Sequence, residues 1–274
     1  MMYLFGANGM LGRYVSSALI GIKGLVPLGS EEFDLCRPAT VLKWLELEQI
    51  GPEDVIINCA GVIGPRMQVR GLYETIQVNS IFPHLLSDLA ETTEVNVIHI
   101  TTDGVFSGKK GKYSEVDVKD AIDDYGKTKA LGEPENITVI RTSLIGEERE
   151  GNQRSLIEWL KTQEGSKVFG YTNHFWNGVT CWQLAKIIRD IIVKETYWKG
   201  VRHIFSPEII SKYQLLTLLI AEYNLDIKVD LFEATPGCDR SLVNSKDIQK
   251  PIIDEIPSIQ DQIKEMISCN PFES

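Results

Sequence analysis

The stretch Gly6-Ala7-Asn8-Gly9-Met10-Leu11-Gly12 decides how this chain reads. It follows an apolar run at residues 2–5 and opens an amphipathic one at residues 11–20, the order of a strand, a glycine-rich turn and a helix. Small residues in such a turn let the backbone approach a pyrophosphate, and the helix amino end stabilises its charge. The segment predicts a dinucleotide cradle formed by Gly6, Asn8, Gly9, Met10, Leu11 and Gly12.

Beyond this stretch, short β-branched runs recur at 24–28, 55–58, 95–100 and 137–140. Between them lie longer amphipathic stretches, with helices expected at 39–48, 76–91 and 125–133. Alternation of this kind specifies βαβ units and a parallel sheet. The expected fold class is therefore α/β, a doubly wound parallel sheet with a smaller C-terminal substrate-binding lobe. Residues 1–146 read as the dinucleotide-binding domain and 147–274 mainly as the lobe. In that second part 155–162, 180–194 and 211–223 look helical and 201–205 strand-like, with about 180–205 expected to return to the main sheet. No repeat or Pro/Gly linker separates the parts, which predicts lobes packed together rather than tethered.

Composition narrows the function classes. The 274 residues are 43% hydrophobic and 24% charged, enough for a large core. A formal charge of −10, with no dense Lys/Arg tract, opposes nonspecific attraction to nucleic acid. No apolar run approaches the roughly 20 residues that span a bilayer, and no basic-then-apolar leader precedes the glycine turn. A cytoplasmic protein without membrane or nucleic-acid partners is expected. Five cysteines, at 36, 59, 181, 238 and 269, show neither CxxC pairing nor histidines at ligand spacing, so no disulfide framework and no metal site is expected.

The choice of dinucleotide turns on the end of the second strand. There Gly29-Ser30 precedes Glu31, where an acidic residue would hold a ribose 2′-hydroxyl, and Arg13 follows the glycine motif. Ser30 and Arg13 suit a 2′-phosphate, so NADP is favoured, while Glu31 keeps NAD open.

Tyr125-Gly126-Lys127-Thr128-Lys129 puts a phenol and an ammonium on one helix face, where the positive charge favours the tyrosinate. That makes Tyr125 a usable acid near neutrality. Upstream, Thr101-Thr102-Asp103-Gly104-Val105-Phe106 closes a strand at the carboxyl edge of the sheet, where ligands bind, and Thr102 is the candidate hydrogen-bonder. His84, His99, His174 and His203 show no partner pattern, and His99 reads as a packing residue.

The GxxGxxG spacing resembles the short-chain dehydrogenase/reductase superfamily. Asp34-Leu35 resembles its adenine-flanking pair, and Asn58-Cys59-Ala60-Gly61 its NAAG element. The run 99–108, Tyr125 with Lys129, Gly132 and Glu133, and the strand Arg141-Thr142-Ser143-Leu144-Ile145-Gly146 resemble the dTDP-4-dehydrorhamnose reductase family, strongly over 1–146 and loosely beyond. The resemblance implies an extended short-chain reductase with Thr102, Tyr125 and Lys129 as catalytic triad. Asp34, Leu35, Cys59, Ala60, Gly61 and Asn79 join Arg13, Ser30 and the glycine turn at the cofactor. Thr102, Asp103, Gly104, Val105, Phe106, Trp176, Asn177 and Arg240 are implied at a nucleotide-sugar substrate, with Arg240 suited to grip a diphosphate. Gly104 stands where the family has tyrosine, and the family's magnesium-binding glutamates have no counterpart that can be placed.

The resemblance implies hydride transfer to a nucleotide-linked 4-keto-6-deoxysugar, for surface polysaccharide precursors. Two alternatives stand beside it: an epimerase or 4,6-dehydratase that retains NAD, and a non-catalytic NADP-binding regulatory subunit. A homodimer is left open.

Overall fold

The computed structural model describes residues 1–148, 155–245 and 256–272. Its elements begin β1 (Met2–Phe5), α1 (Met10–Ala18), β2 (Leu25–Leu28), α2 (Pro38–Leu47), β3 (Val55–Asn58) and α3 (Gly64–Ile76). A π-helical turn at Gln77–Ile81 leads to α4 (Phe82–Thr93), β4 (Asn96–Thr102), α5 (Asp124–Leu131) and β5 (Thr138–Thr142). Then come β6 (Leu144–Ile145), α6 (Leu156–Lys161), β7 (Lys167–Tyr171), β8 (His174–Trp176), β9 (Val179–Thr180) and α7 (Cys181–Val193). The chain closes with β10 (Gly200–His203), β11 (Ile210–Ser211), α8 (Lys212–Glu222), β12 (Lys228–Phe232), β13 (Cys238–Asp239) and α9 (Ile259–Ser268).

The chain divides into two compact units. The first comprises Met1–Phe106, Val118–Arg141 and Ala185–Arg202, and the second Ser107–Asp117, Thr142–Leu184 and His203–Ser274. In the first, six strands run in the order β10-β5-β4-β3-β1-β2, and β2, β1, β3 and β4 pair in parallel. The connections leave β1 in opposite directions for β2 and β3, so the order reverses between β1 and β3, where open α/β sheets bind ligands. This is the doubly wound parallel sheet that the βαβ pattern predicts.

Apolar strand residues make that sheet a core. β1 and β3 are buried along their whole length, since both sheet faces are covered. Phe5 meets Phe82 of α4 edge to face at 5.2 Å, and Tyr3 meets Trp44 of α2 at 5.7 Å. Burying each such ring contributes about 1.5–3 kcal/mol.

Element placement departs from expectation in three places. The helix expected at 76–91 is present as the π-helical turn and α4, but a further helix, α3, precedes it from Gly64 and is interrupted at Gly71, whose φ of 77° and ψ of 168° no helix adopts. The helix-start signal Gly64-Pro65 lies two residues after the NAAG-like element. The second unit holds far more strand than its sequence suggests: β7 and β12 pair in parallel, and β8 pairs with β11 and β13. Lys167–Tyr171 alternates exposed and buried, but over five residues and across a glycine that weakens the signal. Gly170 is required there, because a Cβ would stand 2.8 Å from the Tyr213 Cα of α8. The helix α9 at Ile259–Ser268 is a further element beyond those expected. Among the described residues no helix is long and apolar enough to cross a membrane.

Candidate functional site

The glycine turn is shaped by close backbone approach. Gly6 has φ +77°, and a Cβ there would lie 2.8 Å from the Ala60 amide of the loop after β3. At Gly12 a Cβ would fall 2.1 Å from the Gly6 carbonyl oxygen, so α1 can fold back on its own turn only without a side chain. Gly9 caps α1 with no side-chain hydrogen bond, which leaves the amino end of the helix to an external anion. The cradle thus fits a pyrophosphate.

One cavity runs from this cradle along the carboxyl ends of β1, β2 and β3. Gly6, Asn8 and Gly9 line it from the turn, Ser30, Asp34 and Leu35 from the loop after β2, and Cys59, Ala60 and Gly61 from the loop after β3. Arg66 and Arg70 of α3 close it, two residues that the sequence reading did not single out. Their four-residue spacing after a helix-start signal was the available clue. Arg13, half-buried on α1, is not among the lining residues; Met10, half-buried, and Leu11, buried, belong to the first turn of the same helix.

The polar floor of the site is assembled by Asn79. Lying in the π-helical turn, fully buried, it accepts from the Val62 amide (2.8 Å) and donates to the Val62 carbonyl (2.9 Å) and to Thr128 Oγ1 (3.2 Å). Ser80 Oγ donates to the Thr128 carbonyl at 2.7 Å. One amide therefore ties the loop after β3 to α5. The fit is close enough that a Cβ on Gly132 would meet the Asn79 carbonyl oxygen at 1.9 Å.

On α5, Asp123 caps the helix by accepting from the Gly126 amide at 2.7 Å, which sets Tyr125 in the first turn and Lys129 one turn on. Lys129 is buried, and its Nζ donates to the Ile100 carbonyl of β4 at 2.9 Å. Burial lowers its pKa to about 8, against the opposing pull of the Glu133 carboxylate. The same Nζ lies 4.0 Å from where a Gly61 Cβ would stand, so the ammonium reaches the cavity wall. Burial pushes the neighbouring Cys59 thiol up to about 12, so it stays protonated.

At the end of β4, Thr102 Oγ1 accepts from the Gly104 amide (3.0 Å) and donates to Asp103 Oδ1 (3.2 Å), starting the 3₁₀ turn Asp103–Val105. A Cβ on Gly104 would lie 3.3 Å from Thr102 Oγ1 and 3.3 Å from Tyr125 Cε1. The two candidate side chains thus flank one point, which Gly104 leaves open. Gly126 allows the approach, since a Cβ there would stand 2.2 Å from the Gly104 carbonyl oxygen. Tyr125 also lines a shallow pocket with Ile63, Gly64, Met67, Asp123 and Asp124.

Several residues have structural tasks. His99 is buried and held neutral, by burial first and by the Lys129 charge second, and its Nδ1 meets Asn58 Nδ2 at 3.1 Å. Asn58 Oδ1 in turn accepts from the Ala60 amide, so the histidine packs and orients, as expected. Val105 and Phe106 are buried, with Phe106 under the Arg141 guanidinium at 5.0 Å. In the second unit, Asn177 spends both ends of its amide on the Leu242 backbone, at 2.9 Å each. Trp176 is buried beneath Lys212, and Arg240 follows β13. Among the described residues no cluster of metal-ligating side chains occurs.

Comparison with known proteins agrees with this fold. The chain is 27% identical over 233 residues to the dTDP-4-dehydrorhamnose reductase of Aggregatibacter actinomycetemcomitans, covering 79% of this chain and 77% of that protein. A dTDP-4-dehydrorhamnose reductase structure from Clostridium acetobutylicum superposes with a TM-score of 0.80 at 22% identity, over 97% of this chain and 98% of that one. The Bacillus anthracis dTDP-4-dehydrorhamnose reductase in complex with NADP gives 0.78 at 17% identity, over 97% and 98%. The family described as RmlD substrate binding domain matches residues 1–268, and the chain belongs to that family.

Proposed function

We propose that this protein is an NAD(P)H-dependent reductase of a nucleotide-linked 4-keto-6-deoxysugar, serving the synthesis of surface polysaccharide precursors. The observation that carries the reading is the convergence at Gly104: the Thr102 hydroxyl and the Tyr125 ring stand on either side of one open point, with the Lys129 ammonium one helical turn along. The names of the similar enzymes support the substrate class, and the NADP in one of them supports the cofactor.

When bound, the dihydronicotinamide supplies the hydride that reduces the ketone carbon. The glycine turn and the uncapped amino end of α1 hold the pyrophosphate. Thr102 exchanges its hydrogen bond to Asp103 Oδ1 for one to the ketone oxygen, which it orients. Tyr125 gives its phenolic proton to that oxygen as negative charge develops, and Lys129 stabilises the tyrosinate left behind while hydrogen-bonding the nicotinamide ribose. The residues act mainly by positioning and charge, because the cofactor carries the hard chemistry.

The test is oxidation of NADPH and NADH in the presence of dTDP-, UDP-, GDP- and CDP-linked 4-keto sugars, with wild type and Tyr125→Phe. Turnover should appear with at least one sugar and fall by about 10²–10⁴-fold in the variant, with cofactor affinity kept. A variant with near-normal turnover would reject Tyr125 as the acid. Stoichiometric NAD carried through purification, with no net oxidation, would replace reduction by a retained-cofactor isomerisation.

A further inference from the structure

The adenosine end of the cavity holds an unexpected arrangement of charge. Where a carboxylate after β2 would take the ribose hydroxyls, the chain has Gly29 and Ser30, and the nearby Glu32 accepts from the Gly29 amide at 2.6 Å. That carboxylate is committed to its own turn. Asp34 Oδ1 accepts from the Cys36 amide at 3.1 Å and lies 3.9 Å from Arg70 Nη1. Backbone hydrogen bonding from Cys36 and the nearby Arg70 and Arg37 hold Asp34 below the usual carboxylate range, against the cost of burial.

The cations come from α3. Arg70 Nη1 lies 2.9 Å from Cys36 Sγ and 3.5 Å from Glu74 Oε2, a set of weak contacts at a partly exposed site. Arg66, one turn earlier, lines the same cavity, and its guanidinium has no ion-pair partner among the described residues. Gly71 breaks the helix directly after Arg70 and gives the arginine-bearing turn an orientation separate from the rest of α3. A phosphate monoester brings about two negative charges and three acceptor oxygens. Two guanidiniums one helical turn apart, with the Glu32 carboxylate held by the Gly29 amide, match it better than they match a ribose diol.

We infer that Arg66 and Arg70 recognise the 2′-phosphate of NADP(H) and set the preference for it over NAD(H), a task the sequence motif alone would give to Arg13 and Ser30. The assignment rests on the reductase reading above. Arg70 exchanges its contacts with Asp34 and Glu74 for the phosphate, and Arg66 adds the second donor pair.

The experiment measures calorimetric binding of NADP⁺, NAD⁺ and 2′,5′-ADP, and kcat/KM for NADPH and NADH, in wild type, Arg66→Gln, Arg70→Gln and Arg13→Gln, with Tm as the check on folding. Wild type should bind 2′,5′-ADP and prefer NADPH. Each of Arg66→Gln and Arg70→Gln should lower the NADPH-to-NADH ratio by about tenfold or more, the loss of a charge-assisted hydrogen bond, and weaken 2′,5′-ADP in parallel. An unchanged ratio in both variants, an equal loss for both cofactors, or a collapse of the preference in Arg13→Gln alone would overturn the assignment. Binding of the dinucleotides without turnover on any sugar leaves the assignment standing and fails the reductase reading; absence of dinucleotide binding fails both.

Discussion

Lys129 Nζ donates to the Ile100 carbonyl at 2.9 Å, so a buried ammonium is moored to the strand that ends in Thr102. The mooring fixes where the charge sits relative to Tyr125, and burial gives it a pKa of about 8 instead of 10.5. The free enzyme should therefore lose kcat/KM as pH rises through about 8, where Lys129 loses its proton, and hold a plateau below. A pH profile of kcat/KM without that alkaline limb would exclude Lys129 as the titrating group.

The same shift has a stability consequence of opposite sense to function. Between about 8 and 10.5 the unfolded chain binds the Lys129 proton more tightly than the folded chain, so stability rises with pH across that window and the burial cost is complete below it. Lys129→Met should accordingly raise stability near pH 7, by on the order of 1–3 kcal/mol, while removing activity. Chemical denaturation at pH 7 and pH 10 measures this; the gain should shrink at the higher pH.

Asn79 holds the loop after β3 against α5 through three hydrogen bonds. Asn79→Leu keeps the approximate volume but leaves the Val62 backbone unpaired, at a cost of about 1–3 kcal/mol. Because Val62 lines the cofactor cavity, cofactor Kd should rise together with the loss of Tm. A variant with lower Tm and unchanged Kd would show that the loop keeps its shape without the amide.

Glu133 and Arg141 form a buried pair, Nε to Oε1 at 2.9 Å and Nη2 to Oε2 at 2.6 Å, with Lys119 at 3.1 Å from Oε2. Burial alone would raise the Glu133 pKa, but Arg141 and then Lys119 outweigh it and hold the carboxyl below its ordinary value. The pair's stabilisation is present above the ordinary glutamate range and is lost as pH falls through the depressed value. Glu133→Ala should cost roughly 3–5 kcal/mol by removing the carboxylate that faces the buried Arg141 charge. Urea denaturation checks it, and a loss under 1 kcal/mol would mean that water reaches the guanidinium.

Gly12→Ala forces a methyl into the Gly6 carbonyl. The turn must open, so dinucleotide affinity should fall at least tenfold, by about the energy of one lost charge-assisted contact. Calorimetry with NADP⁺ reads it directly.

Legible in the residues alone were local signals that repeat with a fixed period or sit within a few residues of one another. The strand, glycine turn and helix at 2–20, the βαβ alternation, and the tyrosine and lysine one turn apart are of this kind, and β1 to β5 stand close to where apolar runs put them. Tertiary structure alone decided which distant residues share a wall. Arg66 and Arg70 reach the cavity because α3 starts at Gly64 and breaks at Gly71. Glu32 is spent on the Gly29 amide because the loop after β2 curls back on itself. Short strands such as Lys167–Tyr171 exist only because β12 and α8 pack against them. Periodicity reports which face of an element is buried; it carries no information on what that face meets, and that meeting fixes the charge balance of the site.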